Sequence, residues 1–228
     1  MVTTSSSSIR VEFHRNRLLQ ALFGWYVLFW TAMAIRPFDR PTWLLLNLLP
    51  VLFVAGLVLT HRYFPLSDMS YVFITVFLTL HAIGSHYTYA KVPFGFWLQQ
   101  VLDLQRNDFD RIVHFGFGFL MVYPLREVLM RAARVQGVWA YCLALSVVLA
   151  AAGLWEVIES WTARLVRPEL GASFLGSQGD IWDAQKDIAA ALYGALLCVA
   201  MVVIARHVLE DEPENTADES ELEAALGD

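Results

Sequence analysis

Charge is scarce in this chain. Asp, Glu, Lys and Arg supply 17% of its 228 residues against 57% hydrophobic ones, and the mean hydropathy is +0.49. Soluble domains carry about 25% charged residues, so a water-exposed globule is excluded and an integral membrane protein is expected. Cysteine is almost missing: Cys142 and Cys198 both fall inside apolar runs, where a thiol behaves as a small hydrophobe. Neither has metal-ligand spacing, and they say nothing of redox compartment. Also missing are a Gly-rich phosphate loop, a Ser nucleophile elbow and the zinc-protease helix pattern. The start, MVTTSSSSIRVEFHRNR, lacks an apolar core beside a small-residue cleavage site, so no removable signal peptide is expected.

What is present is a series of apolar runs. Crossing a hydrocarbon core of roughly 30 Å takes around 20 helical residues, and six runs meet that length approximately: 18–36, 43–60, 69–90, 112–130, 137–158 and 188–208. Pro124, Arg126 and Glu127 interrupt the second half of the fourth. The expected fold is all-α, a polytopic bundle of about six transmembrane helices over 18–208. A polar arm (1–17) precedes it and an acidic tail (209–228) follows. Residues 210–228 hold nine of the 22 acidic residues and no Lys or Arg, which accounts for the net charge of −6 and predicts a disordered segment. The basic residues divide equally between the two sides of a six-helix threading. The basic arm and the short 131–136 turn lie nearest to crossings and place the termini in the cytoplasm.

The few ionisable groups are not scattered. Threading brings His81, His86, Asp110, His114, Glu156, Glu159, Asp180, Asp183 and Asp187 to helix ends on one face, and ionisable residues in a membrane chain mark a site or a pathway. Asp110 and His114 are four apart, Glu156 and Glu159 three, and Asp180, Asp183 and Asp187 three and four, so each set shares one helix face. A carboxylate beside an imidazole orients it for a metal or tunes it as a base. Each set also has a plainer reading. Asp110 can favour a helix N-terminus, Glu159 can lie at a solvated helix end, Asp180 can cap a helix, and His81 can be an interhelical hydrogen-bonding residue. Tyr87 and Tyr89 read as interfacial aromatics. Between the third and fourth crossings, residues 91–111 read as an amphipathic interfacial segment with Phe94, Phe96, Trp97, Leu98, Val101 and Leu102 toward lipid. Between the fifth and sixth, 159–187 reads as a structured loop, lid or connector.

Bundle sites are built from inward Glu and His at such spacings. A carboxylate-rich set with histidine suits Zn, Mn or Fe, and Mg less well. The candidate metal ligands are His114, Glu156, Asp183, Asp187, His81 and Asp180. Asp110, Glu159 and His86 are the candidate catalytic or ligand-orienting groups, and Arg111 and Lys186 the candidate binders of an anionic head group.

The runs LHAIGSHYTYAKVPFGFWLQ, RNDFDRIVHFGFGFLMVYPLRE, WEVIES and FLGSQGDIWDAQKDIAAALYGA resemble the YjdF-like family of uncharacterised bacterial inner-membrane proteins. More distantly, DRIVHF, the acids of WEVIES and the D-x-x-D-x-x-x-D run before Gly194 are similar to VanZ-like membrane proteins, which have Lys and Asn where this chain has Arg111 and Asp187. The resemblance implies a multi-pass protein of the bacterial inner membrane and brings no activity. From the residues, the leading expectation is a metal-dependent hydrolase or transferase acting on a lipid-type substrate. A transporter or proton-coupled permease using the same groups is the alternative, and a non-catalytic assembly protein with a working acidic tail is the third. Membrane lipids are the expected partners; nucleic acid is not.

Overall fold

A computed structural model describes Phe13 and residues 16–226, with side chains as far as Ala205. Most of the arm at 1–17 and the side chains of the tail at 209–228 lie outside what is described; the tail's backbone, expected to be disordered, is helical as far as Leu226 and continues α8. Among the described residues there are eight helices and no strand: α1 (Arg17–Met33), α2 (Arg40–His61), α3 (Asp68–His86), α4 (Pro93–Val101), α5 (Phe109–Ala132), α6 (Val138–Leu165), α7 (Pro168–Leu175) and α8 (Asp183–Leu226). Five of them, α2, α3, α5, α6 and α8 up to Ala205, are long and apolar enough to cross a membrane. At 17 residues α1 is about 25 Å long. It nevertheless lies beside α3 from end to end. Asn16 donates to Asp68 at one end, Trp25 Nε1 to Thr79 midway, and His86 Nδ1 to the Met33 carbonyl at the other. By position α1 is therefore the sixth crossing.

Alternation of direction puts the N-termini of α2, α5 and α8 with the C-termini of α1, α3 and α6. The segments joining α3 to α5 and α6 to α8 meet on that face. There Asn107 N–H donates to Gln178 Oε1 (3.2 Å), Gln178 Nε2 returns a bond to the Asn107 carbonyl (2.9 Å), and Arg106 Nη1 donates to the Ser177 carbonyl (2.7 Å). The first segment contains α4, whose Phe94, Phe96, Trp97 and Val101 are exposed together with Leu102 just beyond its end, as an interfacial helix requires. The second contains α7, which packs on α6 and reaches α2 through Thr42 Oγ1 and Ser173 Oγ (3.1 Å).

The bundle's tightest contact is between α5 and α8. A Cβ built on Gly118 would lie 1.8 Å from the Ala191 carbonyl oxygen, and one on Gly194 would lie 2.1 Å from that of Phe115. Without side chains the two backbones meet directly, as small residues allow in membrane helices. Fully buried Ala191 and Ala195 continue the seam into a core with Val122, Ala144, Val148 and Cys198. Asp110 and His114 precede Gly118 on α5, while Asp183 and Asp187 precede Ala191 on α8. The close approach therefore sets the acids of both helices against one another.

Three expectations are corrected. The third crossing ends at His86 rather than 90, because Thr88 and Tyr89 take positive φ and turn the chain. Tyr89 is no interfacial aromatic: it is buried and turned back into the bundle. Pro124, Arg126 and Glu127 do not weaken α5, which runs unbroken past them. Glu127 instead ties its far end to α3, accepting from Ser67 N (2.9 Å), Ser67 Oγ (2.7 Å), Ser70 Oγ (2.5 Å) and Arg131 (2.5 Å).

The threading makes a direct prediction. In a Cys142→Ser background, which removes the exposed native thiol, single cysteines at the exposed positions Gln105, Arg167 and Ile181 should label from one side of the membrane and Gln136 from the other. Mixed sidedness among the first three would refute the arrangement.

Candidate functional site

Two ion-pair systems separate from one another where the helix ends converge. In the outer one, Arg106 bonds Asp183 and lies 3.1 Å from Asp108 Oδ1, and Arg111 reaches Asp108 (2.8 Å) and Asp180 (2.6 Å). Lys186 Nζ also reaches Asp180, at 2.6 Å. Asp180 Oδ1 meanwhile accepts from Trp182 N–H (3.0 Å), closing a turn before α8. Lys186, that turn amide and Arg111 together hold the Asp180 carboxyl down at a pKa of about 2. Three cations thus serve three carboxylates.

The inner system has no such balance. Asp110, His114 and Asp187 offer ligand atoms that all lie within 4.8 Å of one another, and Glu156 Oε1 is 3.5 Å from His114 Nε2. His114 Nε2 is also 3.7 Å from Asp110 Oδ1. Glu159 is buried three residues along α6 from Glu156, within electrostatic reach of Asp110, Asp183 and Asp187. Among the described residues no Lys or Arg pairs with Asp110, Glu156, Glu159 or Asp187. Asp187 is 1% exposed, yet its Oδ1 has no hydrogen-bond partner, and neither has Glu156 Oε1. Glu127, at the opposite end of the bundle, shows how this chain satisfies a structural carboxylate: it surrounds it with donors. Inserting one carboxylate into an apolar helix costs about 2.5–3.5 kcal/mol. Four together require protons or cations to offset them.

Asp110 and His114 of the inner system line one end of a cavity of about 480 Å³. Its polar lining consists of His81, Tyr89, Asp110 and His114, and the remainder is apolar, drawn from α2, α3, α5 and α6. That volume is typical of a small-molecule site.

Several sequence assignments change on this geometry. His81 Nε2 lies 3.1 Å from the Leu46 carbonyl, which can only accept, so this nitrogen carries the proton. Nδ1 then accepts from the Tyr89 hydroxyl at 2.6 Å. Both nitrogens are engaged and no lone pair is left for a metal, which supports the reading of His81 as an interhelical hydrogen-bonding residue. His86 bonds the Met33 carbonyl and stacks edge-on with Tyr87, tying α3 to α1 rather than joining the carboxylates. Asp180 and Asp183 are occupied by Lys186 and the arginines, so neither presents a free carboxylate to a metal. The guanidinium of Arg111 and the ammonium of Lys186 are likewise engaged by these acids rather than open to a head group. Arg106 and Asp108 were missed. The signal was available in RND immediately before FDR, but which acids those charges would face depends on how two distant segments meet.

The comparisons with known proteins place the chain. A family described as "Predicted membrane protein (DUF2238)" matches residues 18–207. The chain belongs to this family. It is also 40% identical over 167 residues to the protein named "Inner membrane protein YjdF" of Escherichia coli strain K12, covering 72% of this chain and 79% of that protein. No solved structure matches. Together with the membrane-length helices, this makes the chain a multi-pass protein of the inner membrane. The YjdF-like resemblance is borne out; neither comparison supports the VanZ-like one.

Proposed function

We propose that the inner carboxylates and His114 form a metal centre that hydrolyses, or transfers a group on, a lipid-type substrate at the membrane face. The observation that carries this reading is the convergence of Asp110, His114 and Asp187 within ligand distance, with buried Asp187 Oδ1 and Glu156 Oε1 lacking any donor. His114, Asp110, Asp187 and Glu156 are the ligands, a set that suits Zn, Mn or Fe better than Mg. A metal held by these residues would supply the activation of a water for attack. Glu159 would take the proton of the attacking water and return it to the leaving oxygen as the water oxygen bonds to the ester carbon or phosphorus and the bond to the leaving oxygen breaks. The termini are cytoplasmic in this reading, so the centre faces away from the cytoplasm. The same four acids could instead hold protons in a proton-coupled permease, which is the second reading.

Elemental analysis of the detergent-solubilised protein decides between them. About one or more metal ions per chain is expected, falling to background in Asp187→Asn and unchanged in Asp180→Asn, whose carboxylate already has its cations. No metal above the level of an Asp110→Asn, Asp187→Asn double variant would remove the metal reading and leave the proton reading standing.

A further inference from the structure

The cavity beside the inner carboxylates has a shape that selects its occupant. Along α5 its lining runs from Asp110 through Val113, His114 and Phe117 to Met121. Eleven residues of helix rise about 17 Å. Half of a hydrocarbon core of roughly 30 Å is about 15 Å. The cavity therefore begins at the membrane face and ends near the bilayer midplane, the depth of one leaflet.

Its walls fix the way in. Pro50, Leu49, Leu52 and Phe53 of α2 form one flank and Ala151, Ala152 and Trp155 of α6 the other, with α3 and α5 behind. On α2, Leu49 and Leu52 are exposed on the surface that meets lipid. The aqueous end is roofed. Here α7 packs on α6, bonds α2 through Ser173 and Thr42, and sets Phe174 against Trp155 with ring centroids 6.3 Å apart. The amide pairing of Asn107 with Gln178 and the Arg106 bond to the Ser177 carbonyl hold the loop after α7 in place. An occupant arriving from water meets this roof, whereas one arriving from the bilayer meets only apolar side chains between α2 and α6.

We propose that this cavity is a slot for one hydrocarbon chain of a membrane phospholipid from the leaflet on the site's side. The chain enters sideways between α2 and α6, its end lies near Met121, and its first ester or phosphate group lies at Asp110 and His114. This deepens the metal-centre reading by naming the substrate class, and for its chemical consequence it rests on that reading. The slot itself is tested separately.

The experiment uses the full chain in vesicles of phosphatidylethanolamine and phosphatidylglycerol, doped with phosphatidylglycerol carrying a diazirine at mid-chain. After irradiation, labelled residues are mapped by mass spectrometry. Labelling is expected at Phe117, Met121 and Ala151 above that at the lipid-facing Leu48, Leu59 and Ile204. In Ala151→Trp, whose ring fills the slot, slot labelling should fall at least about tenfold, the equivalent of 1.4 kcal/mol in binding, while labelling of the outer positions persists. Equal labelling of slot and outer residues in the unmodified protein would overturn the proposal, whether or not the variant folds. So would slot labelling unchanged in an Ala151→Trp protein with an unaltered thermal midpoint. Metal content measured on the same samples, before and after chelation, judges the metal centre independently, because the slot should label with the metal stripped.

Discussion

Replacing Arg106 with methionine is expected to cost the folded bundle about 3–5 kcal/mol, the penalty for removing one partner from a buried ion pair. Arg106 is 7% exposed, bonds Asp183, lies against Asp108 and donates to the Ser177 carbonyl. Its loss leaves two shielded carboxylates and one carbonyl with less to hold them. Lys186→Met is the matched control. Its ammonium is half exposed and Asp180 keeps Arg111, so a change of about 0–1 kcal/mol is expected. Denaturation in mixed micelles reads both. Adding Asp183→Asn to Arg106→Met should recover part of the loss, since one of the stranded charges goes with it. Equal, small effects at Arg106 and Lys186 would show that the arginine is not holding buried acids.

The second large effect is expected at the seam of α5 and α8. A side chain at Gly118 or Gly194 has nowhere to go, because the nearest atoms are backbone carbonyls at 1.8 and 2.1 Å rather than movable side-chain ends. Overpacking costs about 1–3 kcal/mol and occasionally more. Gly118→Val and Gly194→Val should each reach or exceed the top of that range. Gly153→Val is the control, where the nearest atom to a built Cβ is the movable Ile188 Cδ1 at 4.0 Å. Separation of the helices also parts Asp110 and His114 from Asp187, so any bound metal should be lost in the seam variants even where protein survives purification. Metal retained in a folded Gly118→Val protein would show that the seam does not set the site.

These two positions mark how far the sequence could be read. Apolar runs and three- and four-residue spacings follow from the period of one helix, and they located the long helices to within a few residues and set Asp110 with His114 on α5 and Glu156 with Glu159 on α6. The division of the acids into a compensated and an uncompensated group depends on contacts across about 70 residues of chain, Arg106 with Asp183 and Arg111 with Asp180. No local pattern records these. His81 stayed open between ligand and interhelical hydrogen-bonding residue for a related reason. Its spacing from His86 carries no information about the Leu46 carbonyl or the Tyr89 hydroxyl, the groups that occupy its ring. Tyr89 misled because a tyrosine beyond a helix end resembles an interfacial anchor until positive φ at two successive residues turns it inward.

The convergence of the acids at one end of the bundle has an electrical consequence. Carrying one elementary charge through the whole membrane potential involves about 2.3 kcal/mol per 100 mV. That energy is available only to charge that traverses the low-dielectric layer. Groups gathered at the mouths of α5, α6 and α8 sit where little of the potential has yet dropped, and the apolar slot behind them offers charge no onward path toward the far face. On the proposed hydrolase reading, turnover confined to that end should therefore run equally fast in energised and de-energised membranes, whereas a permease using the same groups should not.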